Sequence, residues 1–361
     1  MYSLFYKLLP SKKNIADEDI YLLSDLEIKS IKKTERITIV TSAFIGAIMV
    51  VILYAPQYKL THLFSSKAYK IPLLHHTVDI SWVSLSYGVF LVFAEIFLLT
   101  LLSIYCTHEI ALSTGYIDAN NKLSKDKKDF LLHISNQKKN KEIHKLGIDP
   151  YLGLKKSTVF FLNLFFTLKA TLSNFFIRII FQRLLGRYAI RMLLDFLGIP
   201  VFAFWNALGT AKVLKESRIV IMGVNYLQFF EKEISKSREL NAKEKLILYD
   251  TLQYIAIFKR DYHQNHYVLS KIVIEQFSII TEDIHQISKD YENKLKDCDD
   301  DFKKLNQKII ILGIVLDGSV SYREQKRINK LYASGVLTHK FAEIKKIATN
   351  FTYGKGIEFV D

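Results

Sequence analysis

Residues 37–55 carry no charged side chain, and residues 80–106 carry only one, Glu95. At about 1.5 Å of rise per helical residue, runs of this length come close to or exceed the roughly 30 Å of a bilayer's hydrocarbon core. Backbone polar groups in lipid must be satisfied within the segment, so each run is expected to be a helix. The expected fold class is therefore all-α: a polytopic helical membrane protein. Ser42 with Gly46, and Ala43 with Ala47, set small side chains four residues apart on the first helix, where another helix can approach closely. Pro56 reads as the end of that helix.

The segments around the runs set the topology. Residues 1–36 form a polar tail, and 107–156 form a loop rich in lysine, including Lys122, Lys125, Lys127, Lys128 and Lys138. Residues 56–79, with His75 and His76, are poorer in charge and read as an irregular loop without chemistry. Lysine-rich segments favour the cytoplasmic side, so 37–106 is read as an out-and-back hairpin with a cytoplasmic N-terminus. The apolar start, Met1–Pro10, is too short for a cleaved signal peptide and is followed by Ser11-Lys12-Lys13. Gly147-Ile148-Asp149-Pro150 marks a turn before the next apolar stretch.

Residues 157–215 admit two placements. Val159–Leu168 and Leu193–Leu214 are apolar enough for a membrane, yet Arg178, Arg183, Arg187 and Arg191 lie between or beside them, with Asp195 one turn further. Either 157–180 and 193–214 are two more spans, or 157–192 lies in the interface with its arginines on lipid phosphates. The expected count is about four segments. Ala203, Ala207 and Ala211 give the last a close-packing face.

Residues 216–361 read as a cytoplasmic helical domain of ordinary size, since an even number of spans returns the chain to its starting side. Asn241-Ala242-Lys243-Glu244 resembles a capping box opening a helix toward Phe258. A long amphipathic helix is expected from Tyr267 to about Lys296, turning Ile272, Phe277, Ile280, Ile284, Ile287 and Tyr291 toward a partner.

Glu95 is the residue most charged with consequence, because a carboxylate within a span must be neutral or partnered. An arginine among 178, 183, 187 and 191 is the expected counter-charge, serving either an ion or proton site or a buried pair that fixes helix packing. His263 and His266, near Asp261, read as surface residues. Cys106 and Cys298 are too separated to imply a disulfide framework. The chain contains no phosphate-binding glycine loop, nucleophile elbow or metalloprotease helix, so neither enzymatic activity nor a cofactor is expected. The net charge of +14 suits anionic phospholipid. It is spread along the chain without zinc spacing, an RNP-like motif or a helix-turn-helix signature, so nucleic acid is not the expected partner.

The stretch Ile309 to Glu324 contains an apolar helix, the turn Asp317-Gly318 and the helix start Ser321-x-x-Glu324. Gly318 can take the left-handed conformation that closes a helix, and Ser321 with Glu324 can form a capping box for a helix that Gly335 ends. Over about the last fifty residues this pattern resembles tellurite-resistance TerB-like helical domains. The resemblance implies metal binding by acidic residues at the turn, which falls on Asp317 and Glu324. A plain helix–turn–helix connection needs the same residues.

Together these features lead to the expectation of a multi-pass inner-membrane protein with both termini cytoplasmic, a non-enzymatic anchor, scaffold or sensor whose C-terminal domain binds a protein partner or a second copy. The alternative is an oligomeric channel or transporter subunit lined by Glu95 and by Arg183, Arg187 and Arg191, which recur every four residues along one helical stripe.

Overall fold

Ser24 opens the first helix through a capping box: its Oγ accepts from the Glu27 N–H at 3.3 Å, while Glu27 accepts from the Ser24 N–H at 2.7 Å. In the computed structural model, which describes residues 22–65, 67–71, 76–117, 125–135, 141–155, 157–158, 191–261 and 263–359, this helix α1 covers Asp25–Lys59. It therefore starts inside the segment expected to be a polar tail. It also runs through Pro56, which had been expected to end it.

Between α1 and α2 (Trp82–Ser113) stands a β-hairpin, β1 (Lys67–Ile71) and β2 (His76–Ile80). The strands are antiparallel, with Lys67 opposite Ile80 and Ile71 opposite His76. An irregular loop was expected here. The β-branched and aromatic residues Tyr69, Ile71, Thr77, Val78 and Ile80 favour the extended backbone instead.

After α2 come α3 (Lys125–Ser135), a 3₁₀ turn (Lys141–Leu146), α4 (Arg191–Ile234), α5 (Ala242–Lys259), α6 (Gln264–Gln276), α7 (Tyr291–Lys296), α8 (Asp300–Val315), α9 (Tyr322–Ala333) and α10 (Phe341–Thr352). The segment 107–156 is thus partly helical, and it buries Ile110, Ile117, Leu131, Ile143 and Ile148. Helix α4 continues well past residue 215. Residues 159–190, including Arg178, Arg183 and Arg187, lie outside the described residues.

The chain divides into two compact units: one of the described parts of 32–108 and 160–214, the other of the described parts of 10–31, 109–159 and 215–361. In the first unit, α1 and α2 are long and apolar enough to cross a membrane, and only 22 % of the most apolar window of each is buried. Phe44, Phe90, Phe93 and Ile96 point outward, as does Phe204 of α4. Gly46 lets the α1 backbone approach α4: a Cβ there would lie 2.7 Å from Asn206 Nδ2 and 2.8 Å from the Phe202 carbonyl.

The second unit is built on α8, whose residues Ile309 to Leu316 are buried all round, as a central helix requires. Gly313 brings α8 against Ile255 of α5. Asn265 ties three helices together, its amide donating to the carbonyls of Ile219 on α4 (3.1 Å) and Leu316 after α8 (2.7 Å). The expected capping box of α5 forms between Asn241 and Glu244. The expected turn after α8 also forms, with Gly318 at φ +68°, Ser321 and Glu324 capping α9, and Gly335 at φ +75° beyond its end. At the N-terminal side, the Leu23 N–H donates to the Gly354 carbonyl at 2.9 Å.

The long helix expected over 267–296 is broken. Helix α6 stops at Gln276, Ser278 takes a left-handed φ of +50°, and the chain runs irregularly to α7. Ile272, Phe277 and Tyr291 are buried, but Ile280 is 90 % exposed. The break has a long-range counterpart: the intervening residues bring His285 onto Asp250 of α5, a buried carboxylate that needs donors.

Candidate functional site

Two polar constellations stand out, one in each unit. In the first, Glu95 of α2 is half-buried and its Oε1 accepts from the Asn206 amide of α4 at 2.6 Å. Ser42 of α1 donates to the Ile39 carbonyl at 2.7 Å and lies 3.3 Å from the Asn206 carbonyl. Among the described contacts Glu95 is held by a neutral amide, while the side chains of the arginines expected as its counter-charge lie outside the described residues. Arg191 and Asp195 occupy the start of α4, where only the backbone is described. Asn206 is the lone amide in the apolar run 193–214, a sequence signal that sequence reasoning did not use.

In the second unit, Lys259 at the end of α5 is buried, its side chain 1 % exposed. Its Nζ lies 2.8 Å from Asp317 Oδ2 and 3.0 Å from Glu324 Oε1, and donates to the Ser319 carbonyl at 3.0 Å. The Asp317-Gly318 turn and the α9 capping box therefore close over one ammonium, and Asp317 also accepts from the Ser319 N–H at 3.1 Å. The two carboxylates singled out for metal meet here around a lysine. Among the described residues no group of three His, Cys, Asp or Glu side chains is set to hold a metal ion. Burial pushes the Asp317 carboxyl up, against the pull of Lys259 and His263.

His263 and His266 flank this network and are buried, not on the surface as expected. His263 caps α6, its Nδ1 accepting from the Asn265 N–H at 3.2 Å, while its Nε2 lies 3.0 Å from Glu216 Oε1. Burial opposes a charge on His263, but Glu216, with Asp317 and Asp261 nearby, raises its pKa above the ordinary value. His266 is held well below that value by burial and by the charges of His263 and Lys259. The two rings are thus shifted in opposite directions within one network. Sequence reasoning passed over Lys259 and Glu216. Lys259 follows Ile255-Ala256-Ile257-Phe258 directly, which was the available signal of burial.

A third cluster is architectural. Asp250 is fully buried, and its Oδ1 accepts from His285 Nε2 at 2.8 Å and from the Ser288 N–H at 3.1 Å. Ser288 reaches the carboxylate through its backbone rather than its hydroxyl, so the geometry holds a loop. Tyr249 stacks on the His285 ring, with centroids 3.8 Å apart.

Comparison with known protein families, curated proteins and solved structures finds no match to this chain.

Proposed function

We propose that this chain is a non-enzymatic multi-pass membrane protein that anchors a cytoplasmic helical body to the inner membrane and senses or binds a partner through that body. The reading takes four membrane segments, α1, α2, one within 157–180 and the first part of α4 at 193–214, with both termini cytoplasmic. The observation that carries it is the outward apolar surface of α1 and α2. A core helix of a water-soluble protein would bury that surface, whereas only 22 % of each apolar window is buried here.

The anchoring role is favoured over a pathway by the setting of Glu95. Its carboxylate is engaged by Asn206 on a helix that packs closely at Gly46, an arrangement that locks helices together. The pore remains the second reading because an intramembrane carboxylate is also what an ion path uses. Purified chain in liposomes separates the two. The anchor gives no ion flux above empty liposomes, for the native chain or for Glu95→Gln. Flux through the native chain that Glu95→Gln abolishes establishes the pore instead.

A further inference from the structure

The charge of the C-terminal body is unevenly placed. Residues 263–320 hold seven lysines against ten Asp and Glu, whereas residues 321–355 hold eight Lys and Arg against only Glu324 and Glu343. Both of those acids are turned onto their own helix starts, Glu324 accepting from the Ser321 N–H and Glu343 from the Lys340 N–H, each at 2.7 Å. The hairpin's own outward charges are therefore cations, one of which, Lys330, is met by Glu292 of α7.

Helical spacing gathers them. On α9, Arg323, Lys326 and Lys330 fall in one arc beside Tyr322, opposite the buried Ile328 and Leu331; Lys330 pairs with Glu292 at 3.0 Å, and Arg327 donates to the Ile257 and Phe258 carbonyls. On α10, Lys345 and Lys346 point outward while Ile344, Ile347 and Phe351 are buried. The two faces are joined edge to edge: Lys345 Nζ sits 5.8 Å from the centre of the Tyr322 ring, and Lys340 Nζ 6.0 Å from that of Tyr332. Among the described residues Arg323, Lys326, Lys345 and Lys346 have no ion-pair partner, and Tyr322 is 82 % exposed.

We propose that this α9–α10 face is a docking surface for anionic phospholipid headgroups. The inference rests on the membrane reading above. Its apolar residues are spent on its own core, so the face binds from above the headgroups rather than inserting a helix. Solvent-facing tyrosines among lysines suit that interface, and spans elsewhere in the chain hold the hairpin at high local concentration near a bilayer. Each lysine brought close to an anionic surface strengthens attachment by about fivefold, and salt weakens it.

The test uses the full chain in lipid nanodiscs of phosphatidylcholine, with or without phosphatidylserine, and follows acylation of individual lysines by mass spectrometry. Lys326, Lys345 and Lys346 should be acylated at least about fivefold more slowly in phosphatidylserine discs, with full rates restored at high salt. Lys236 and Lys271, outside the hairpin, should react alike in both. In a Lys326→Gln/Lys345→Gln/Lys346→Gln chain, the remaining hairpin lysines should lose their lipid-dependent protection. Equal rates in both discs overturn the proposal. So does protection by an added RNA oligonucleotide in phosphatidylcholine discs without any by phosphatidylserine, which assigns the face to nucleic acid. Co-migration of the chain with discs of either composition reports separately on the membrane reading.

Discussion

The Tyr87 hydroxyl of α2 donates to the Ile52 carbonyl of α1 at 2.8 Å, and Ile52 stands four residues before Pro56. Proline has no N–H, so it deprives that carbonyl of its intrahelical donor. A tyrosine from the neighbouring helix supplies one, which is how α1 continues through Pro56. Tyr87→Phe should destabilise the helix pair by about 1 kcal/mol, seen as a lower midpoint of thermal unfolding in detergent. In a Pro56→Ala background, where the backbone supplies its own donor, the same change should cost almost nothing.

Lys259→Met removes the cation shared by Asp317 and Glu324 and leaves two largely buried carboxylates facing each other. The body should lose about 3 kcal/mol, measured as a shift in denaturant midpoint. Lys259→Met combined with Asp317→Leu should recover part of that loss, because one unpaired charge has gone with its partner.

Acid should act on the two buried histidines in opposite directions. His266 has a folded pKa below the ordinary 6.5, so the unfolded chain takes up its proton first and stability falls as the pH drops below about 6.5. His263 has a raised folded pKa, so its contribution is complete below pH 6.5 and is lost as the pH rises through the folded value. Denaturant midpoints of the native chain and of His266→Leu at several pH values test this. The variant should be less weakened on the acid side than the native chain.

Gly147→Ala should loosen the segment before and after it. Gly147 has a φ of +72°, and a Cβ there would strike the Tyr249 hydroxyl and the Glu282 carbonyl. Its own carbonyl accepts from the His285 N–H at 2.8 Å, so the turn and the irregular stretch after α6 are held together. A cost of about 2 kcal/mol is expected, with faster proteolysis within 141–155 than in the native chain.

The parts of this structure that were legible in sequence are those fixed by short-range chemistry. One charge-free and one nearly charge-free apolar stretch, the Asn241 and Ser321 capping boxes, and the glycines at 318 and 335 are each read from neighbouring residues. What escaped is what depends on a distant partner. Pro56 stops a helix unless a hydroxyl such as that of Tyr87 arrives from another one. His263 and His266 look like surface residues until their partners, Glu216 among them, close over them. The helical period over 267–296 was real, yet the donors required by Asp250 outweighed it. Asn206, the partner of Glu95, lies 111 residues away, and local pattern does not reach that far.

Removal of all detergent from the purified chain, followed by measurement of its size distribution, tests the central claim most directly. If the outward side chains of α1 and α2 are covered by acyl chains, the protein aggregates without surfactant and stays dispersed only in detergent, discs or liposomes. A chain that remains compact and monodisperse in plain buffer would contradict the account.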